Sequence, residues 1–352
     1  MSREVAKHLY RTEAQTIDVL VTVPQSVVNR LQADYGILVK RFIEGGGAVL
    51  TVKPSQLDRL AGDAQVTDLA EDGTVFSRMA VTTQAMGADK VWSGDGKAFG
   101  GITGNGVNVA VIDSGIAPND DIKNRIIFSK DFTRASNSGS GSSSTALDEY
   151  GHGTHIAGII AGSGNGSRTL TSAAFTGMAP GAGILNLKVL KADGSGLVST
   201  VIDAVEWCIR NRENYKIRVI NLSLGRPSSD NFLTDPLVMS VERAVRAGIV
   251  VVAAAGNLGT YGPNNQPIVG AIESPGYAPD ALTVGATNTH NTVYRSDDTV
   301  TSWSSRGPVG NPENPSSWML KPDVVAPGNN IIAAASDTPH PRGWRRCRGW
   351  HC

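Results

Sequence analysis

From Val107 onward this 352-residue chain returns repeatedly to one pattern: a short, nearly continuous apolar run, then a stretch of helical spacing. The runs lie at 107–112, 184–190, 218–224, 249–255 and 281–286. Helical stretches fall between several of them, at 155–162, 199–212 and 236–247. Strands that are apolar throughout must be covered on both faces, and strands joined through helices run parallel. The expected fold class is therefore α/β, a mostly parallel sheet with helices on both faces. Ligands of such sheets bind beyond the carboxyl ends of the strands. The residues that end each run are the ones to examine for chemistry.

The first run ends in Asp113, followed by Ser114 and Gly115. A carboxylate there needs a partner to offset its desolvation. One reading makes it the cap of a turn. The other has it accept a hydrogen bond from an imidazole, fixing the tautomer and leaving the second ring nitrogen as a base. His152 is the candidate imidazole. It stands in Gly151-His152-Gly153-Thr154-His155, ahead of a run of small and apolar residues reaching Gly162. That stretch reads as a loop delivering a histidine into a cleft at the first turn of a buried helix, with glycines that let a reactant approach. The plain alternative is a structural histidine, and His155 is expected to be one.

The fourth run ends in Gly256-Asn257. The Asn257 amide can donate to an oxygen that turns negative during acyl transfer, or the pair is an ordinary turn. The third run ends in Ser223-Leu224-Gly225, whose extended backbone can pair with a peptide added as a strand. Ala255 and Gly256 would then form the facing wall. Gly194-Ser195-Gly196, after the second run, reads either as part of the same groove or as a bare loop.

Ahead of this domain, residues 1–15 form a polar leader and residues 16–76 read as a small α+β unit. Strands are expected at 17–23, 37–43, 48–52 and 66–75, with helices at 25–35 and 56–60. Strand–helix–strand–strand–helix–strand is the order of a ferredoxin-like unit. The Gly-, Thr- and Ala-rich stretch 77–106 reads as a linker, its part 77–95, and then the entry to the second domain.

Composition removes several classes of function. Formal net charge is zero, so nothing points to nucleic acid as a partner. No segment approaches the ~20 apolar residues of a membrane span, and the start of the chain carries no apolar core of a secretory signal. Three cysteines make no paired framework. Cys208 falls on the apolar face of a helical stretch and reads as a plain buried thiol.

Taken jointly, Val111-Ile112-Asp113-Ser114-Gly115, Gly151-His152-Gly153-Thr154-His155, Asn221-Leu222-Ser223-Leu224-Gly225 and Ala254-Ala255-Gly256-Asn257 resemble four landmarks of the subtilisin-like serine proteases, in the family's order. Lys321-Pro322-Asp323-Val324-Val325-Ala326-Pro327-Gly328 is similar to the segment that leads into the family's nucleophile. The resemblance covers about 96–336 and implies a serine endopeptidase acting on extended polypeptides. It implies that Asp113 orients the base, His152 is the general base and acid, and Asn257 helps form the oxyanion hole. Substrate would lie along Gly194, Ser195, Gly196, Ser223, Leu224, Gly225, Ala255 and Gly256. The 16–76 unit resembles the family's inhibitory prodomain, so the chain's own N-terminal unit is an expected partner. Met86 to Trp92 looks like the start of a mature enzyme, which puts processing between about Thr74 and Thr83. No cofactor is implied as required. Calcium is implied as a structural ion of many members, with Asp120, Asp121 and Asp148 as acidic candidates against the plain reading of solvated loop acids. Members are mostly secreted.

The resemblance stops near Ser336. The family's Gly-Thr-Ser-Met-Ala, which carries the nucleophile at the start of a second buried helix, occurs nowhere in the 352 residues. Residues 337–352 instead run into Arg345-Arg346-Cys347-Arg348-Gly349-Trp350-His351-Cys352. The favoured expectation is a reading frame disrupted between Ser336 and Trp344, giving a truncated protease without its nucleophile and with apolar sheet surface left bare. Ser336 is a poor substitute, since no helix start presents it. A metal-binding tail and a basic aromatic anchor are the alternatives for the last residues. A non-catalytic peptide-binding protein is the alternative for the whole chain.

Overall fold

The computed structural model describes residues 15–43, 47–66, 69–71, 78–94, 101–134, 146–171, 174–227, 232–261, 266–310 and 317–336. The chain divides into two compact units, Met1–Val75 and Phe76–Cys352.

The first unit runs β1 Ile17–Val21, α1 Gln25–Tyr35, β2 Leu38–Phe42, β3 Ala48–Val52, α2 Pro54–Ala61 and β4 Leu69–Glu71. Its strands form an antiparallel sheet in the order β2-β3-β1-β4. Helix α1 ends at Gly36, whose φ of 63° closes the last turn. Helix α2 opens on Pro54, and the Gln56 side chain accepts the Lys53 N–H at 2.8 Å. Val19, Val21, Leu50 and Val52 from the sheet pack with Val28, Leu31, Leu57 and Leu60 from the helices. The strand expected over 66–75 is seen only as Leu69–Glu71, and residues 72–77 lie outside the described residues.

In the second unit, part of the stretch read as a linker is helical. Helices α3, Arg78–Met86, and α4, Ala88–Ser93, meet at Gly87 with φ 74°. Neither is long enough to print a helical period on the sequence, and Thr82 and Thr83 are buried. The chain continues as β5 Asn108–Asp113, β6 Ile126–Asp131, α5 His152–Ala161, α6 Asn165–Thr171, β7 Gly183–Lys188, α7 Val198–Asn211, β8 Ile217–Leu222, α8 Pro236–Arg246, β9 Val250–Ala254, the small pair β10 Thr260–Tyr261 and β11 Gln266–Pro267, β12 Leu282–Asn288, β13 Thr299–Val300 and β14 Val324–Pro327.

One sheet carries the large unit, in the order β6-β7-β5-β8-β9-β12. These strands are all parallel. Strand β14 adds to β12 in parallel, and the two-residue β13 pairs with β12 antiparallel. The α/β class expected from the sequence is thus the class observed. On one face, Ala110, Ile112, Leu187, Ile220, Val251 and Ala253 pack with Val201, Val205 and Cys208 of α7 and with Val241 and Ala244 of α8.

The other face is covered over half its width. Val109, Val111 and Ile184 pack there with Ile156, Ala157 and Ala161 of α5. Register carries the same face outward along the sheet: Val109 pairs with Val219, Val219 with Val250, Val252 with Leu282, and Val284 with Val324. Val250, Leu282 and Val324 remain 53, 40 and 46% exposed. A parallel sheet ordinarily buries both faces, and among the described residues these three positions of β9, β12 and β14 are left open.

Candidate active site

Asp113 is the last residue of β5, and only 1% of it is exposed. Both of its oxygens lie 2.8 Å from Nδ1 of His152, the first residue of α5. A carboxylate only accepts, so Nδ1 carries the hydrogen, and in the neutral ring the lone pair then belongs to Nε2. The backbone N–H of Ser114 donates to the Asp113 Oδ1 at 2.7 Å. Helix α5 therefore begins at His152 itself, three residues earlier than its apolar spacing suggested.

The glycines beside His152 have a different use from the one expected. Gly151 adopts φ +100°, a left-handed conformation that side chains resist. A Cβ on Gly153 would collide with the Gly115 carbonyl oxygen and stand 3.2 Å from the Asp113 Cβ. Both glycines let the chain approach itself, so the helix can dock end-on against the tip of β5. His155 does not face this pair: its Nε2 lies 3.4 Å from the Ile331 carbonyl, in keeping with a structural part.

A second acid organises the junction. Asp148 is 1% exposed. Its Oδ1 accepts from the Ser114 hydroxyl at 2.8 Å, from Gly151 N–H at 2.7 Å and from Tyr150 N–H at 3.2 Å. Its Oδ2 accepts from Thr154 N–H and from the Thr154 hydroxyl, at 2.8 and 2.6 Å. The Ser114 hydroxyl in turn accepts the Gly153 N–H at 2.9 Å. From the next strand, buried Lys188 donates from Nζ to the Ser114 carbonyl at 2.6 Å. Asp148 was considered above only as a solvated loop acid or a calcium ligand. The structure makes it neither, because protein donors surround it. Its one sequence signal is its place four residues before His152.

The acids considered for calcium have protein partners. Asp120 faces Lys123 at 2.5 Å, and Asp121 accepts from Gly166 N–H at 2.9 Å and the Ser163 hydroxyl at 3.2 Å. Among the described residues no group of three or more His, Cys, Asp or Glu converges as a metal would require.

His152 opens onto a cleft of about 540 Å³. Gly194, Ser195 and Gly196 form one stretch of its lining, and Ser223, Leu224, Gly225 and Asn257 another. Six of the eight expected groove residues thus share a cleft with His152 and Asn257. The other two stand apart from that lining. Ala255 is in the core beneath the sheet end, and Gly256, at φ +104°, lies against the Glu273 carboxylate. Tyr150 packs so closely on Gly194 that a Cβ there would meet its ring. Burial, and then the charges of Asp113 and Asp193, raise the Tyr150 phenol above its ordinary pKa.

Arg226 also lines the cleft and is held from behind. Its guanidinium donates to Asp235 at 2.7 Å, and Tyr277 donates to the same oxygen at 2.6 Å. Asp235 caps α8 through the Leu237 N–H at 2.9 Å. Burial opposes its ionisation, but hydrogen bonds from Tyr277 and Leu237, with the Arg226 charge, hold its pKa below the ordinary aspartate value.

The segment after β14 runs back along α5. A Cβ on Gly158 would stand 2.7 Å from the Ala334 nitrogen, and one on Gly151 would stand 3.3 Å from the Ser336 hydroxyl. Ser336 thus sits at the N-terminal end of the helix of His152. Residues 337–352 lie outside the described residues.

Comparison with known proteins agrees with this geometry. The subtilase family model matches residues 104–348. Serine protease AprX of Bacillus subtilis is 42% identical over 240 residues, which are 67% of this chain and 49% of that protein. An alkaline protease of Alkalihalobacillus alcalophilus is 32% identical over 285 residues, 80% of this chain and 61% of the relative. The chain thus spans about half to three fifths of these curated relatives. Among solved structures, the S41 psychrophilic protease aligns with a TM-score of 0.54 and 30% identity, covering 72% of this chain and 75% of that one.

Proposed function

The chain belongs to the subtilase family of serine proteases, and from that premise we propose that its cleft holds an extended polypeptide without hydrolysing it. The observation that carries this reading is the buried Asp113–His152 pair, opening onto the same cleft as Asn257. In the proposed roles, Asp113 keeps the Nδ1 hydrogen in place, so that Nε2 of His152 is ready to take a proton from a hydroxyl. Asn257 donates toward the carbonyl oxygen of the bound peptide. The backbone of Ser223, Leu224 and Gly225 pairs with that peptide as an added strand, across from Gly194, Ser195 and Gly196.

Covalent acyl transfer needs a nucleophile as well as a base. The 352 residues contain no Gly-Thr-Ser-Met-Ala run. An aspartate and a histidine activate a hydroxyl but do not replace one. We therefore assign this chain as a peptidase by descent that lacks the hydroxyl its base would activate. A disrupted reading frame after Ser336 remains our proposed origin. Recovery of a Gly-Thr-Ser-Met-Ala-like run from another frame of the gene supports it, and absence of one counts against it.

The test is direct. The purified chain is treated with a fluorophosphonate probe and, separately, titrated with labelled extended peptides. Binding without labelling and without turnover is expected. Robust labelling would show that another hydroxyl, with Ser336 the first suspect, serves as nucleophile. Absence of any peptide binding would sink the groove itself.

We propose further that the first unit acts as a prodomain. Residues 78–86 are helical and bury Thr82 and Thr83, which narrows the proposed processing window to 74–77. A chain without its nucleophile does not process itself, so mass spectrometry should find the first unit still attached. Spontaneous appearance of a species starting near residue 78 contradicts this. We propose no required cofactor. The described donor set gives no support to a calcium site.

A further inference from the structure

Behind Gly225, on the cleft lining, and its neighbour Gly256 lies an acid that the proposed mechanism does not use. Glu273 lies on the segment that bridges the ends of β8 and β9. Its N–H donates to the Ala255 carbonyl at 2.9 Å. The next residue, Ser274, exchanges backbone hydrogen bonds with Arg226 at 2.9 and 3.0 Å. This places the Glu273 side chain between two glycines of the expected groove. A Cβ on Gly225 would stand 3.2 Å from the Glu273 Cβ, and a Cβ on Gly256 would collide with its Oε2. The slot between the two strand ends is thus kept free of side chains on both walls, and a carboxylate occupies it.

That carboxylate is half-buried and sparsely partnered. Oε2 accepts the Asn257 backbone N–H at 3.0 Å. Among the described residues no cation pairs with it. Arg226, the cation on the cleft lining, is committed to Asp235. Among the described residues the Glu273 charge is therefore not compensated by a basic side chain. A partly desolvated carboxylate in that state favours an arriving cation and disfavours an anion. Its distance from the reacting centre follows from the same bond: the residue whose N–H it accepts is Asn257, the proposed donor to the substrate carbonyl.

We propose that Glu273 is a specificity-determining residue, selecting a lysine or arginine at the substrate residue whose carbonyl faces Asn257. The assignment rests on the groove reading above and adds the class of side chain that enters it. An apolar side chain in the slot would bury the carboxylate without a partner, and an acidic one would add a like charge. Both losses act on the same position, so the discrimination is both attractive and repulsive.

The test uses the full chain and fluorescein-labelled peptides Ala-Ala-Pro-X-amide, with X as arginine, norleucine or glutamate, read by fluorescence anisotropy. The arginine peptide should bind about tenfold more tightly than the norleucine peptide, with the glutamate peptide weakest. Glu273→Gln, which keeps the shape and the Asn257 hydrogen bond, should bring the arginine-to-norleucine ratio to about one. On the unmodified chain, raising salt from about 50 mM to about 500 mM should narrow that ratio. Equal binding of arginine and norleucine peptides, or a preference that Glu273→Gln and salt both leave intact, overturns the proposal and spares the groove. Failure of all three peptides to bind overturns both.

Discussion

Two halves of one sheet face, built from the same kinds of residue, meet different fates. Beneath α5, Val109, Val111 and Ile184 are buried to within 7% exposure or less, and the acid and the base lie at that end of the sheet. Across β9, β12 and β14, Val250, Leu282 and Val324 of the same face stay roughly half open. What separates the halves is a helix, not composition. The covered half also holds the complete part of the chemistry, the Asp113–His152 pair. The uncovered half lies on the side where β14, within Lys321 to Gly328, joins the sheet. The completed half thus gains nothing visible from the bare one. Its order is local, made by Asp148, Ser114 and two glycines.

If that is right, the largest effect of substitution should fall on the junction. Asp148→Ala leaves donors of Ser114, Tyr150, Gly151 and Thr154 without their acceptor, and should cost about 3–5 kcal/mol in urea unfolding. A loss below about 1 kcal/mol would mean that water replaces the carboxylate at little cost and that the junction is not self-contained. Next, Ile184→Ala in the covered half should cost about 2–4 kcal/mol. Gly153→Ala should cost about 1–3 kcal/mol through its collision with Gly115. It should also disturb the downfield Nδ1 proton resonance of His152, which a simple cavity elsewhere would not.

Acid sharpens the comparison differently. Asp235 has its folded pKa below its unfolded value. The unfolded state therefore binds its proton first as pH falls. The stability this group adds is fully present above the unfolded value of about 3.9 and disappears as pH drops through the lower folded value. Asp235→Asn should lower stability at pH 7 and flatten the acid limb of the unfolding profile. An unchanged acid limb would place the sensitivity elsewhere. The smallest effect belongs to the bare half. Val250→Thr, Leu282→Gln and Val324→Thr should each shift stability by about 0.5 kcal/mol or less and reduce binding of an apolar dye. A cost near that of Ile184→Ala would show that something covers this face in solution.

Legibility in the sequence did not follow the division into covered and bare halves. Five strands were legible because each is a nearly continuous apolar run, whether or not both of its faces are covered. Ile126–Asp131 was not, since half of it is Ser129, Lys130 and Asp131 at the sheet edge. Val324–Pro327 was seen only as part of a motif, being four residues of strand between polar turns. Within the site, Asp113, His152 and Asn257 stood out because each ends a strand or begins a helix. Asp148 and Glu273 did not, because their importance is made by distant neighbours. Asp148 meets Ser114 from 34 positions away, and Glu273 meets Asn257 from 16. No local period records such meetings. The packing of Gly153 is of the same kind: it makes room for Gly115, 38 positions earlier in the chain.

The hydroxyl of Ser114 gives to Asp148 and takes from Gly153 at the same time. Its rotor has one orientation that serves both, so it cannot turn to seek another partner. The strand tip and the helix start are locked through a single oxygen. A peptide arriving in the cleft therefore meets an imidazole already standing at attention, and the entropy of placing that ring is charged to folding rather than to association.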